Sequence, residues 1–346
     1  MIHFDSDYME GAHPRIMERL CETNLTQNSG YGTDPYTENA KKLIRSLLGN
    51  DSADIHFLVG GTQTNATVIG AVLHGADAVI AADTAHINVH EAGAIEATGH
   101  KVITLPGKDG KLDAGDIETY MKAFRGDENW IHMSNPALVY ISFPTEYGTL
   151  YSLKELEAIG DVCRRYDLKL YMDGARLGYG LVAEGNDVSL ADIVRICDAF
   201  YIGGTKIGTL LGEAVVLRNS KLIPHFFSYV KRIGAMLAKG RLLGIQFETL
   251  FTDNLYFDIS RHGVEMAMKL KEVFLSKGYK PAVDSPTNQQ FFILPNRVID
   301  HLQQYATFEL WGARGETSSV VRFVTSWATK AEDISALAAV LPAMPA

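Results

Sequence analysis

Residues 168–176 read Leu-Lys-Leu-Tyr-Met-Asp-Gly-Ala-Arg, an apolar run that stops on an acid, a glycine and a base. Residues 199–206 repeat the form as Ala-Phe-Tyr-Ile-Gly-Gly-Thr-Lys. Short apolar runs without alternation read as strands buried on both faces. A buried strand that delivers a charged residue at its end points to a parallel sheet, where ligands bind at the strand ends.

Working outward, the same rhythm extends in both directions. Asp34-Pro35 caps and starts a helix whose apolar face is Ala40, Leu43, Ile44, Leu47 and Leu48, and Gly49 ends it. The run Ile55–Val59 follows and leads into Gly60-Gly61-Thr62. The pattern then predicts a helix over 65–74, a strand over 78–81, a helix over 91–97, a strand over 101–105 and a helix over 113–124. Strands over 138–143 and 214–217 and a helix over 153–166 complete the set. Strands alternating with helices predict an α/β class, a three-layer αβα architecture with a mostly parallel sheet. After Tyr256 the character changes. A long helix (259–277), strands at 291–294, 308–311 and 320–324, and a final helix (331–340) predict a smaller α+β C-terminal domain. The expected organisation is an N-terminal segment (1–34), a large domain (35–255) and a small domain (256–346).

Composition narrows the function. The chain has 346 residues, 47% hydrophobic and 21% charged, enough for a sizeable core. Its formal net charge is -9, with no basic run, so nucleic acid is not an expected partner. Cys21, Cys163 and Cys197 are odd in number and far apart, which excludes a disulfide framework or a cysteine zinc site and suits a reducing cytoplasm. The acidic start, MIHFDSDYMEG, lacks the apolar core of a signal peptide, and no apolar run reaches membrane-spanning length. No metal is expected.

Four strand ends carry candidate chemistry. Gly61 and Thr62 begin a helix whose free N–H groups suit a phosphate, although a plain tight turn has the same look. His86 can stack on a flat ring or act as a base, while His90 reads as a structural histidine. Asp173, desolvated at its strand end, calls for a cationic partner such as a protonated pyridine nitrogen; a structural pair with Arg176 is the alternative. Lys206, flanked by glycines and desolvated, suits a nucleophilic amine, although most lysines simply reach the surface. Together they supply a phosphate seat, a ring face, a ring-nitrogen partner and an amine, the parts that pyridoxal 5'-phosphate needs.

These residues resemble the fold-type I pyridoxal-phosphate enzymes, and among them the threonine aldolase / β-eliminating lyase family. The resemblance runs from Phe4 to Trp327 and rests on Phe4-Asp5-Ser6-Asp7, Tyr31-Gly32-Thr33-Asp34, Gly61–Asn65, His86 with Glu91-Ala92-Gly93, Asp173–Arg176, Gly204-Thr205-Lys206 and Val321–Thr325. It implies a Schiff base on Lys206, Asp173 on the ring nitrogen, His86 on the ring, and Gly61 and Thr62 on the phosphate, with Thr205 and Arg176 beside the cofactor. It implies Ser6, Arg176 and Arg322 on the substrate carboxylate, and Lys231-Arg232 near a partner's site in a homodimer or homotetramer with shared active sites. The implied reaction is retro-aldol cleavage of a β-hydroxy-α-amino acid to glycine and an aldehyde. Elimination, transamination or racemisation on the same fold, and a non-catalytic α/β binding protein, are the alternatives. Thr205 stands where the family usually has serine. Pro144-Thr145-Glu146-Tyr147-Gly148 replaces a loop that often carries Asn-Thr-His, which leaves the base open between His86 and Glu146 and makes Glu146 a candidate contact for the substrate side chain.

Overall fold

A computed structural model describes residues 1–344, so the last two residues of the expected 256–346 domain lie outside the described part. A two-residue strand, β1 (Ile2–His3), opens the chain. Seven strands then form the central sheet: β2 (Asp54–Leu58), β3 (Asp77–Ala82), β4 (Lys101–Leu105), β5 (Asn135–Ser142), β6 (Lys169–Asp173), β7 (Ala199–Gly203) and β8 (Glu213–Leu217). Their spatial order is β2-β8-β7-β6-β5-β3-β4. Only β8 runs antiparallel to its neighbours, so the mostly parallel sheet and its flanking helices match expectation. Every residue of β7 and β8 is buried, which explains why these strands show no polar alternation.

Five further strands follow: β9 (Pro281–Val283), β10 (Gln289–Pro295), β11 (Ala306–Thr307), β12 (Glu309–Leu310) and β13 (Ser318–Val324). Four of them make an antiparallel sheet in the order β12-β13-β10-β9. This sheet has its own core of Phe274, Phe292, Phe323, Leu294 and Leu337. Phe4 belongs to that second core, and β1 pairs in parallel with β11. The N-terminal segment is therefore stitched to the C-terminal part, which no local pattern announces.

Local rules explain the helix ends. The Asp34 carboxylate accepts the Thr37 N–H at 2.9 Å, Pro35 fills the first helical position of Pro35–Leu48, and Gly49 ends it at φ +61°. Ser152 with Glu155, and Ser189 with Asp192, form capping boxes for Leu153–Tyr166 and Leu190–Ile196.

Several expectations need correction. No continuous helix covers 91–97. The chain makes one turn at His86–Val89, reverses through Ala92 (φ +51°) and Gly93 (φ +75°), and ends in a 3-10 turn at Glu96–Thr98. Glu91 turns inward to bond a histidine and an asparagine, and that contact replaces helical propagation. The helix expected from Asn65 begins earlier, spanning Gly61–Val72, and the long C-terminal helix spans Leu255–Ser276. Of the strand expected at 308–311, only Glu309–Leu310 pairs. Helices at Pro14–Thr23 and Arg241–Phe251 lay outside the expected set. Among the described residues no helix is long and apolar enough to cross a membrane.

One glycine sets how closely the site's two carrier strands approach. The Gly203 N–H donates to the Gly174 carbonyl at 2.9 Å, and a Cβ on Gly174 would lie 1.9 Å from the Tyr201 carbonyl oxygen. Gly174→Ala must push β6 and β7 apart. The expected loss is about 3 kcal/mol in urea unfolding, with Asp173 displaced from Tyr201; a variant of wild-type stability would contradict this.

Candidate active site

The expected residues come from distant parts of the chain. Ser6, Gly61, Thr62, His86 and Glu146 line a single cavity of about 650 Å³, and so do Asp173, Arg176, Thr205, Lys206 and Arg322. Each strand-end residue arrives by the same route. The apolar strand is buried by packing; Asp173 ends its strand, and Gly61, His86 and Lys206 follow theirs in the turn where the sheet stops.

Asp173 is the last residue of β6 and only 4% exposed. Its Oδ1 accepts the Tyr201 hydroxyl at 2.5 Å and the Ala175 N–H at 2.9 Å. Its Oδ2 accepts the Tyr140 hydroxyl at 2.7 Å and the Asn65 Nδ2 at 3.0 Å. Burial alone raises its pKa. The His86 charge and the hydrogen bonds of Tyr201, Tyr140 and Asn65 outweigh burial and hold the carboxyl below its ordinary value. No ion pair reaches it among the described residues. It is a buried, ionised group with donors but no cation.

Asn65 continues the network. Its Nδ2 also donates to Glu91 Oε1 at 2.8 Å, and its Oδ1 accepts the Tyr171 hydroxyl at 2.9 Å. The same Glu91 oxygen meets His86 Nδ1 at 2.8 Å. Glu91 Oε2 is buried without a partner. Glu91 thereby fixes the His86 ring from the Nδ1 side. Burial lowers the His86 pKa, but the Glu91 bond and the charges of Glu146 and Asp173 raise it further, so it lies above the ordinary value despite the opposing charge of Lys206.

Lys206 follows β7 after Gly203, Gly204 and Thr205. No hydrogen bond or ion pair engages its amine among the described residues; its Nζ lies 5.9 Å from the Tyr8 ring centroid. Burial, with the charge of Arg176, depresses its pKa against the pull of Asp7, Glu146 and Asp173. A partly desolvated, unpaired amine is a nucleophile in waiting.

The helix Gly61–Val72 starts without a side-chain cap, and a Cβ on Gly60 would meet open space. Its first N–H groups therefore face the cavity unspent, suited to an anion. A Cβ on Gly61 would stand 3.1 Å from the Tyr201 hydroxyl, so this turn rests on the tyrosine that holds Asp173.

The two arginines are already engaged. Arg176 makes a buried bidentate pair with Asp7, Nε to Oδ2 at 2.7 Å and Nη2 to Oδ1 at 3.0 Å, and Asn288 donates to the same Asp7 Oδ2 at 2.8 Å. Arg322 meets Glu309 in a close ion pair, donates to Gln289 at 2.8 Å and lies 4.7 Å from the Trp311 ring centroid. Its Nε is buried without a partner. Glu146 accepts the Ser142 hydroxyl at 3.3 Å. Its loop is fastened by Ser285, which donates to the Gly148 carbonyl at 3.1 Å. Ser6 sits on the rim beside Asp7. Tyr140, Tyr201, Glu213, Glu309 and Trp311 carried no sequence signal as site residues. Asp7, Asn65 and Glu91 stood in the quoted motifs without a role.

Known proteins resemble this chain over nearly its whole length. Residues 3–294 match the family model described as beta-eliminating lyase. The low specificity L-threonine aldolase of Pseudomonas aeruginosa is 28% identical over 338 residues, spanning 97% of this chain and 95% of the relative. A solved threonine aldolase of Leishmania major is 43% identical and superposes with a TM-score of 0.95, over 99% of this chain and 98% of that one. The aspartate aminotransferase of Thermus thermophilus, at 15% identity, shares the fold alone, with a TM-score of 0.70 over 99% of this chain and 92% of that one.

The His86–Glu91 pair has a measurable signature. Because the folded pKa of His86 is raised, the pair's contribution to stability is complete below the unfolded value of about 6.5 and is lost as pH climbs through the folded value. NMR titration of His86 in the cofactor-free protein is expected to give a midpoint above 6.5. Glu91→Gln should bring it down; an unchanged midpoint would mean that Glu91 does not set the charge.

Proposed function

The chain belongs to the beta-eliminating lyase family, and we propose that it is a pyridoxal 5'-phosphate-dependent aldolase. It cleaves β-hydroxy-α-amino acids of the L-threonine and L-allo-threonine type to glycine and an aldehyde. The observation that carries this reading is Asp173, a buried carboxylate held ionised by four donors with no cation in contact. A carboxylate in that state is poorly explained by structure alone, because burial of an unpaired charge is costly. It fits a cationic ring nitrogen. The unpaired Lys206 amine and the uncapped helix at Gly61 and Thr62 fit the other ends of the same cofactor, and His86 and Thr205 border it.

When bound, pyridoxal phosphate supplies a ring that accepts the electron pair left on the substrate Cα. The protein does the rest. Asp173, itself buried, keeps its negative charge toward the ring nitrogen. Burial and the Arg176 charge lower the Lys206 pKa, which makes its amine easier to deprotonate. Arg322, through its free Nε, holds the substrate carboxylate together with Ser6 and the unengaged part of Arg176. A carboxylate fixed on one side sets which bond at Cα faces the ring, and therefore which bond breaks. His86, in its neutral form and steadied by Glu91, takes the β-hydroxyl proton; Glu146 is the second candidate.

The names of the relatives favour carbon–carbon cleavage over elimination, transamination or racemisation. The same reading makes the protein a homodimer or homotetramer, with Lys231 and Arg232 directed to a partner's site. Lys231 stacks 4.2 Å from the Tyr31 ring centroid, and both Tyr31 and Phe227 are exposed nearby.

The purified protein is expected to be yellow, and borohydride is expected to fix the cofactor on Lys206. L-threonine, L-allo-threonine and phenylserine should yield glycine and the matching aldehyde; a keto acid with ammonia would contradict the proposal. His86→Asn should lower kcat by about 100-fold or more with the cofactor still bound. Full turnover in that variant, with loss in Glu146→Gln, would move the base to Glu146.

A further inference from the structure

The two arginines of the cavity are paired in different ways. Arg176 and Asp7 are both buried, their side chains 8% and 0% exposed, and Asp7 takes the whole Nε–Nη2 edge of the guanidinium. Arg322 is as buried, at 10%, but its partner Glu309 is 45% exposed. Glu309 stands directly across from Arg322 in the β12–β13 pair and reaches Nη2 alone. Nη1 donates to Gln289, and Nε has no partner. The Trp311 ring lies over the guanidinium and is itself met edge-on by Phe291 and Tyr147, with ring centroids 5.3 and 6.0 Å away. Glu309, Trp311 and Arg322 all line the cavity. Among the described residues, the Glu309 carboxylate bonds nothing but Arg322.

We propose that Glu309 is an internal stand-in for the substrate carboxylate: it covers Arg322 between turnovers and is displaced when a substrate takes the Nε–Nη2 edge. The inference rests on Arg322 being the carboxylate residue of the aldolase reading. A carboxylate is held best by two parallel bonds along one guanidinium edge, the form that Asp7 already shows on Arg176. On Arg322 that form needs Nη2, where Glu309 sits, and two carboxylates on one nitrogen repel. Release costs little on one side only. Glu309 can turn into water from a two-residue edge strand that leads into the exposed stretch 312–318. Arg322 cannot follow, and a buried cation left without an anion is costly. Exchange of one carboxylate for another keeps it paired. Asp7 is not exchangeable, since it is fully buried and Asn288 holds it too. Glu309 thereby makes the site selective, because only an anion can replace it.

The test uses 3-hydroxybutyrate, which has the carboxylate and the β-hydroxyl but no amine to react with a cofactor. Its binding to the purified protein is measured by calorimetry, beside that of its neutral amide. Glu309→Gln should bind the acid about fivefold more tightly, the upper end for a half-exposed ion pair, and the amide no better than wild type does. Arg322→Gln should bind the acid about tenfold more weakly, and adding Glu309→Gln to it should then change nothing. Arg322→Met and Glu309→Ala replace these variants if either fails to fold. Equal or weaker binding of the acid in Glu309→Gln, an equal gain for the amide, or a gain that persists without Arg322 would overturn the stand-in alone. Full affinity in Arg322→Gln would instead remove Arg322 from the carboxylate site, and with it the reading on which the stand-in rests.

Discussion

A single buried negative charge organises this molecule. Asp173 sits at the end of a strand that packs on both faces, where an unpaired carboxylate is expensive. The cost is met by donors from four places: Tyr140 on β5, Tyr201 on β7, Asn65 on the helix after β2, and the backbone of Ala175. Those donors reach it only if the strands keep their register, with Tyr140 opposite Tyr171 and Ser142 opposite Asp173. Sheet pairing and site electrostatics are one constraint seen from two sides. The same donors tie the charge outward through Asn65 and Glu91 to His86, so an acid on one strand and a histidine after another share one polar network.

A second charge pair performs a different task. Arg176 leaves the Asp173 loop and meets Asp7, which Asn288 also holds. Three remote segments converge on one buried carboxylate. The pair joins the first residues and the C-terminal part to the central sheet.

The parallel sheet and the four strand ends were legible because buried strands have a plain signature, an apolar run that stops on a polar residue. Asp173 and Lys206 stand out for that reason. Tyr140 and Tyr201 do not. In a strand buried on both faces a tyrosine looks like any aromatic, and nothing reveals that its hydroxyl serves a carboxylate. Glu213, between Gly212 and Ala214, reads as a turn residue before a strand. Glu91 looked like the start of a helix because its neighbours have helical composition; its inward turn depends on Asn65, 26 positions earlier. The partners of Arg176 and Arg322 are likewise tertiary. The resemblance implied two arginines on an anion, but not that Asp7 and Glu309 already stand on them.

The pairing of β1 with β11 bears on how the protein is made. Ile2 and His3 are synthesised long before their strand partners, Ala306 and Thr307. Asp7 waits in the same way for Asn288, and Ser6 faces a cavity whose far wall includes Arg322. The central sheet can assemble during synthesis, since its last strand ends at Leu217. Arg176 can receive Asp7 early, but Asn288 and Arg322 are made only after the central sheet, so the cavity is completed later than the sheet that carries most of it.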